Sequence, residues 1–193
     1  YAGQTIERPK WRACNAFDYV IQHAEAMAAN DIGFASCSNE TVINGFVQLG
    51  DYDIVDWILG QESTEDATFT SGEQVKVTNF LNDGGAIFVS GSEVAYDLVN
   101  QGTGATFCQD TLRVDYAADD AGTYQATGVT GSILEGVGSF DFDPANGAPY
   151  NVRTPDRLIP GADAITCLNY VGGSGGIAGV QFTGDIYNVV TFG

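Results

Sequence analysis

The chain is short of cations. Its 193 residues include seven Lys and Arg against 25 Asp and Glu, a formal net charge of −18. Nucleic-acid binding rests on basic side chains that neutralise phosphates, so this balance argues against it. Docking on an anionic membrane surface is disfavoured on the same ground. Histidine is nearly missing: His23 stands alone. No apolar run nears the roughly 20 residues that span a bilayer. Residues 1–12 are too polar, with Pro9 among them, to read as a secretory signal. The acidic residues are scattered and read as a solvated surface.

Cysteine is sparse and widely spaced, at Cys14, Cys37, Cys108 and Cys167. No C-x-x-C pair occurs, which removes the usual zinc spacing. Two disulfides or four buried thiols remain. Low lysine, abundant glycine and an even cysteine count favour disulfides and an oxidising compartment.

The first half alternates between helical and strand patterns. Asn15–Asn30 predicts a helix with Phe17, Val20, Ile21, Ala24, Met27 and Ala28 on one face. His23 falls about 240° around the wheel from Phe17 and is expected to face solvent or a helix neighbour. Short strands are expected over Asp31–Ser36, Asp53–Gly60 and Ala86–Ser90. Ser71 and Gln74 read as a capping box opening a helix to Asp83, and Glu93–Asn100 reads as a short helix.

After Gly102 the pattern becomes β-rich. Strands are expected over Leu112–Tyr116, Thr123–Val129, Ile165–Val171, Ile177–Phe182 and Tyr187–Phe192. Gly184-Asp185 suits a hairpin turn between the last two. No linker divides the chain, so residues 1–193 are expected to form one domain. The predicted fold class is α/β: a three-layer α/β/α sandwich with a mainly parallel sheet and a β-rich C-terminal half.

Several blocks resemble one bacterial family. They are Phe17-Asp18-Tyr19-Val20 with His23-Ala24-Glu25-Ala26, Ser38-Asn39-Glu40, Tyr52-Asp53, and Trp57 through Thr64. Gly84 through Glu93, Asp119 through Tyr124, Pro155-Asp156 and the closing Val189-Val190-Thr191-Phe192-Gly193 complete the set. The family is a region of large secreted bacterial proteins described as xanthan-lyase-like or golvesin-domain-associated. The resemblance implies a class I glutamine amidotransferase-like, flavodoxin-like fold and a secreted, extracellular or cell-surface location. Such domains open on an apolar strand, which residues 1–13 do not supply. The expectation is a chain that belongs to a larger protein or assembly: either a piece of a longer polypeptide, or a sheet whose missing strand comes from elsewhere, for example by strand addition from a neighbouring subunit.

In that arrangement Cys14 and Cys37 fall at the carboxyl edge of the sheet, so Cys14–Cys37 and Cys108–Cys167 are the expected disulfides. The same edge gathers Ser38, Asn39, Glu40, Glu62, Ser90, Ser92 and Glu93. Ser38, Asn39, Glu40 and Ser90 are candidate ligand-binding residues. Ser92 would be a nucleophile at a strand-to-helix corner, with Glu62 or Glu93 as acid/base or orienting group. A serine needs a base to become nucleophilic, and no histidine follows this corner. The competing reading is that these residues cap helices and satisfy backbone groups.

Asp141-Phe142-Asp143-Pro144-Ala145-Asn146-Gly147 approximates a calcium loop, with one residue too many and no closing Glu. Asp115, Asp119 and Asp120 form another acidic group. Both groups read as turn residues ahead of calcium ligands, and no cofactor is expected. Asn39-Glu40-Thr41 matches a glycosylation sequon, read as accidental in a bacterial protein. Trp57 is expected in the core, and Trp11 at an interface or a sugar site.

Two roles compete. One is a non-catalytic structural, adhesive or assembly module, extending to an extracellular polymer. The other is a hydrolase or lyase acting on an extracellular polysaccharide through Ser92, Glu62 and Glu93. The partners expected are further copies, other domains of a parent protein, or polysaccharide, with neither nucleic acid nor membrane insertion.

Overall fold

A computed structural model describes residues 19–60, 67–142, 152 and 154–193. The elements in chain order are α1 (Tyr19–Ala29), α2 (Asn39–Ile43), a 3-10 turn at Leu49–Asp51, β1 (Ile54–Gly60), α3 (Ser71–Asn82) and β2 (Ala86–Gly91). Two π-helical turns follow, Tyr96–Asn100 and Phe107–Thr111. Then come β3 (Val114–Ala118), β4 (Gln125–Gly128), β5 (Phe140–Asp141), β6 (Arg157–Pro160), β7 (Ile165–Tyr170), β8 (Ile177–Thr183) and β9 (Asn188–Phe192).

Among the described residues, nine strands belong to one sheet, in the order β1-β2-β9-β8-β7-β4-β5, with β6 branching from β8 and carrying β3. Only β1, β2 and β9 run parallel. The other pairings are antiparallel. The fold is therefore β-rich, a mixed and curled sheet with few helices. It corrects the three-layer α/β/α sandwich with a mainly parallel sheet. The β-rich half does not form a layer of its own. Its hairpins extend the same sheet, and the branch at β8 (Leu158 opposite Ile177) bends it.

The first half supplies one βαβ unit, β1-α3-β2. Alternation along β1 sends Trp57 and Leu59 to the α3 side, and both are buried. Trp57 stacks on Phe69 at 5.4 Å between centroids, and Phe69 meets Phe107 at 5.1 Å. Val77, Phe80 and Leu81 of α3 fill the same core, as their spacing predicts. The capping box lies one residue earlier than expected. Thr70 is the N-cap, and its partner is Glu73. Glu73 is buried, and its carboxylate accepts a hydrogen bond from Asn39 at 2.5 Å beside those from Thr70 N–H and Oγ1. Gln74 instead donates to the carbonyls of Phe69 and Thr103.

The opposite face of β1 and β2 is covered more loosely. α1 lies there with no buried residue, and Ile54 is 70% exposed. Residues 31–36, expected as a strand, are exposed and unpaired among the described residues. Two apolar side chains around Gly33 do not suffice to place a strand in the sheet. The expected hairpin at Gly184-Asp185 is present, with Gly184 N–H donating to the Tyr187 carbonyl at 3.1 Å.

The disulfide expectation is corrected. Cys108 and Cys167 are buried free thiols, and Cys37 is an exposed free thiol. Cys14 lies outside the described residues. Cys108 belongs to the core beside Leu112 and Val114, where its small apolar side chain fills space. The case for an oxidising, secreted setting rested on paired cysteines and loses that support.

Two outcomes test this packing. Phe69→Ala, which empties the centre of the aromatic stack, is expected to cost about 3–5 kcal/mol in denaturant unfolding. Burial raises the thiol pKa of both Cys108 and Cys167, the latter to about 11. Maleimide should therefore label Cys37 in the native protein and reach Cys108 and Cys167 only after unfolding. A Cys108–Cys167 linked peptide in non-reducing mapping would contradict the structure.

Candidate functional site

The corner after β2, at the carboxyl end of a parallel strand, has a tightly constrained backbone. A Cβ on Gly91 would sit 2.6 Å from the Leu59 Cβ, so only glycine lets β2 approach β1 this closely. Ser92 N–H donates to the Gly60 carbonyl at 2.8 Å, which ties the corner to the end of β1. Glu93 then turns the chain at φ 58, in the left-handed region. Residues 94–100 continue as a helical segment whose Val94, Ala95 and Leu98 enter the core.

Asp156 closes this corner from far along the chain. It is 0% exposed. Its Oδ2 accepts from Tyr96 N–H at 2.8 Å, while Oδ1 is buried with no hydrogen-bond partner. Its main-chain carbonyl accepts from the Tyr170 hydroxyl at 2.8 Å, which also lies 3.0 Å from the Gly193 carbonyl oxygen. Ala121 N–H donates to the Pro155 carbonyl at 3.0 Å. Burial pushes the Asp156 carboxyl up to about 7. The Tyr96 N–H opposes that shift, the charges of Glu93 and Asp119 add to it, and the Ala95 N–H opposes it further. Burial, reinforced by Asp156 and then Asp120, raises the Tyr170 hydroxyl as well.

The sequence-derived site residues separate into groups. Ser92 is 5% exposed and Glu93 is half-buried, both at the Asp156 corner. Ser90 is half-buried within β2, opposite Ile58. Ser38 Oγ lies 3.3 Å from Thr41 Oγ1, Asn39 is held by Glu73, and Glu40 is exposed in α2. Ser38 is the N-cap position of α2 without a side-chain capping bond, and Asn39 fixes α2 to α3. Glu62 lies outside the described residues, as do Trp11, Asp143 and Asn146. Asp141 accepts from Gln125 Nε2 at 3.0 Å across the β4–β5 pair. Among the described residues no His, Cys, Asp and Glu cluster is arranged to hold a metal.

His23 does not face solvent alone. Its Nδ1 lies 2.7 Å from Asp56 Oδ2, and its ring stacks over Phe88. Asp56 and Phe88 share the α1 face of the sheet, whereas Val94 and Leu98 beside the corner pack on the α3 side. Ser92 lies beyond the end of β2, in the turn that follows Gly91. No Ser-His pair forms. The enclosed Asp156 acts as an acceptor that joins the corner, the start of β6 and β7.

No protein-family model matches the chain, and no curated protein matches it. Three solved structures share its fold. A cold-adapted β-galactosidase from Rahnella sp. R3 has a TM-score of 0.63 at 15% identity, over 90% of this chain and 24% of that one. Cytoplasmic protein STM1381 from Salmonella typhimurium LT2 has a TM-score of 0.55 at 13% identity, over 88% and 73%. The mmIFT52 N-terminal domain has a TM-score of 0.51 at 14% identity, over 89% and 77%. The chain spans about a quarter of the β-galactosidase. These likenesses establish fold alone. With the mixed, curled sheet, they overturn the xanthan-lyase-like, flavodoxin-like resemblance.

The Asp156 carboxyl carries a pH signature. Its folded pKa, about 7, stands above its ordinary 3.8. Between those values the native state keeps a proton that the unfolded chain has lost. Its contribution is therefore lost as pH rises through that window and stays lost above it. Relative to Asp156→Asn, the wild type should lose roughly 1.4 kcal/mol per pH unit in mid-window. Denaturant midpoints of both proteins from pH 4 to 8 check this, and parallel profiles would refute it.

Proposed function

We propose that this domain is a non-catalytic structural or assembly module whose strand-to-helix corner is architectural. The observation that carries the reading is the separation of the single histidine from Ser92. His23 is engaged by Asp56 and Phe88 under α1, and Ser92 is almost fully enclosed elsewhere. Histidine is the usual base that activates a serine hydroxyl, and the single histidine is engaged on the other face of the sheet.

Two further features support a module. Ile54 and Ile186 are 70% and 64% exposed near the amino ends of β1 and β9, away from the corner, and offer apolar contact to a neighbour. In the β-galactosidase, the matching region is one part of a longer polypeptide.

The alternative, a hydrolase or lyase acting on polysaccharide, has one observation in its favour. A carboxyl that stays protonated near neutrality beside Glu93 and Asp119 has the charge state of a general acid. Its complete enclosure weighs against that role.

Wild-type protein, Ser92→Ala and Glu93→Gln should be incubated with a panel of polysaccharides and β-galactosides. The expected result is no turnover by any of the three. Turnover by the wild type that either substitution abolishes would replace the module reading with the enzymatic one. Sedimentation over a wide concentration range addresses assembly separately: self-association is expected, and a constant monomer mass would count against it.

A further inference from the structure

The turn at residues 154–156 is held to the corner by a small number of specific contacts. Asp156 Oδ2 takes the Tyr96 N–H, the Asp156 carbonyl takes the Tyr170 hydroxyl, and the Pro155 carbonyl takes the Ala121 N–H. Both sides of the closure carry backbone strain. Thr154 sits at φ 47 and Glu93 at φ 58, in a region that a β-branched residue such as threonine rarely adopts. Such strain persists only while surrounding contacts hold it.

Among the described residues, the groups facing Asp156 are mostly acidic or neutral. Glu93 comes from the corner, Tyr96 from the helical segment, Cys108 from the turn at Phe107–Thr111, Tyr116 from β3, Asp119 from the loop after β3, and Tyr170 from β7. Arg157 follows it in the chain, with its Nε buried and without a hydrogen-bond partner. Among the described residues no cation is ion-paired with Asp156. An ionised carboxylate here would be enclosed beside Glu93 and Asp119, with one oxygen unsolvated.

We propose that the 154–156 turn is a proton-operated latch: protonated Asp156 keeps it closed over the corner, and loss of that proton releases it. Release hydrates the carboxylate, separates it from Glu93 and Asp119, and relaxes Thr154. The device is closed in acid and loosens toward neutral pH, because the open turn holds an ordinary carboxyl and the closed turn a raised one. The opening equilibrium then grows about tenfold per pH unit across that window and levels off above it.

Amide hydrogen exchange on the full chain tests this, corrected for intrinsic rates at pH 5.0 and 7.5. The reporters are the Tyr96 and Ala121 amides, which donate into the latch. Their protection should fall about a hundredfold between the two conditions, while amides of β2 and β9 stay protected. Asp156→Asn should hold both reporters at their acid-side protection throughout. A second measurement needs no variant: the carboxyl carbon of Asp156, followed by NMR in the wild type, should titrate near neutrality, in step with the loss of protection. Equal protection at both pH values, unchanged pH dependence in Asp156→Asn, or titration of Asp156 in the ordinary carboxylate range would each overturn the proposal.

Discussion

Everything in this fold depends on β9 pairing on both sides at once. It lies parallel to β2 along one edge and antiparallel to β8 along the other. The first pairing completes the three parallel strands that α3 covers. The second attaches the branched, antiparallel half. Val189 and Thr191, both buried, place their side chains on the α3 face with Ile87 and Val89. Without β9, the βαβ unit and the hairpins would be two incomplete sheets, each with an open edge.

The corner after β2 shows how a shape associated with chemistry can serve packing. Gly91 permits the close approach of β1 and β2, and Glu93 takes the left-handed turn. The segment beyond inserts Val94 and Leu98 into the core. The polar groups there are used internally: Asp156 satisfies an N–H that starts the segment, and Asp97 accepts from both Thr68 N–H and Thr68 Oγ1. The buried acids of this region work as backbone acceptors, which explains their enclosure despite the chain's large negative charge.

Local features were legible in the sequence where the signal was local. The α3 stripe of Val77, Phe80 and Leu81, the strand Ala86–Ser90 and the Gly184-Asp185 hairpin follow from periodicity and turn chemistry. The overall class was not, because it turns on whether late strands join the early sheet or form a layer of their own. Hydrophobic pattern does not encode that choice. The segment Ile32–Ala35 shows the opposite failure, since its apolar residues fit a strand that the sheet does not include. His23 was misplaced because its partners, Asp56 and Phe88, lie on strands distant in sequence. Asp156 was missed for the same reason: its contacts with Tyr96 and Tyr170 cross two other elements of the chain. Pro155-Asp156 offers only turn chemistry to a reader of the sequence. The cysteines misled because an even count says nothing of geometry, and Cys108 and Cys167 serve as packing.

The central place of β9 has a consequence for synthesis on the ribosome. The strand that seals β2 is made after all the others, so the edge of Ala86–Val89 stays unpaired until Asn188–Thr191 has emerged. Nascent chain carrying the βαβ unit therefore exposes an apolar, hydrogen-bonding edge throughout elongation of the β-rich half. Contacts of such long sequence separation slow folding and lengthen the time at risk of intermolecular pairing. Folding of this sheet is coupled to completion of β9, and a chain cut inside β9 would leave that edge open to intermolecular pairing.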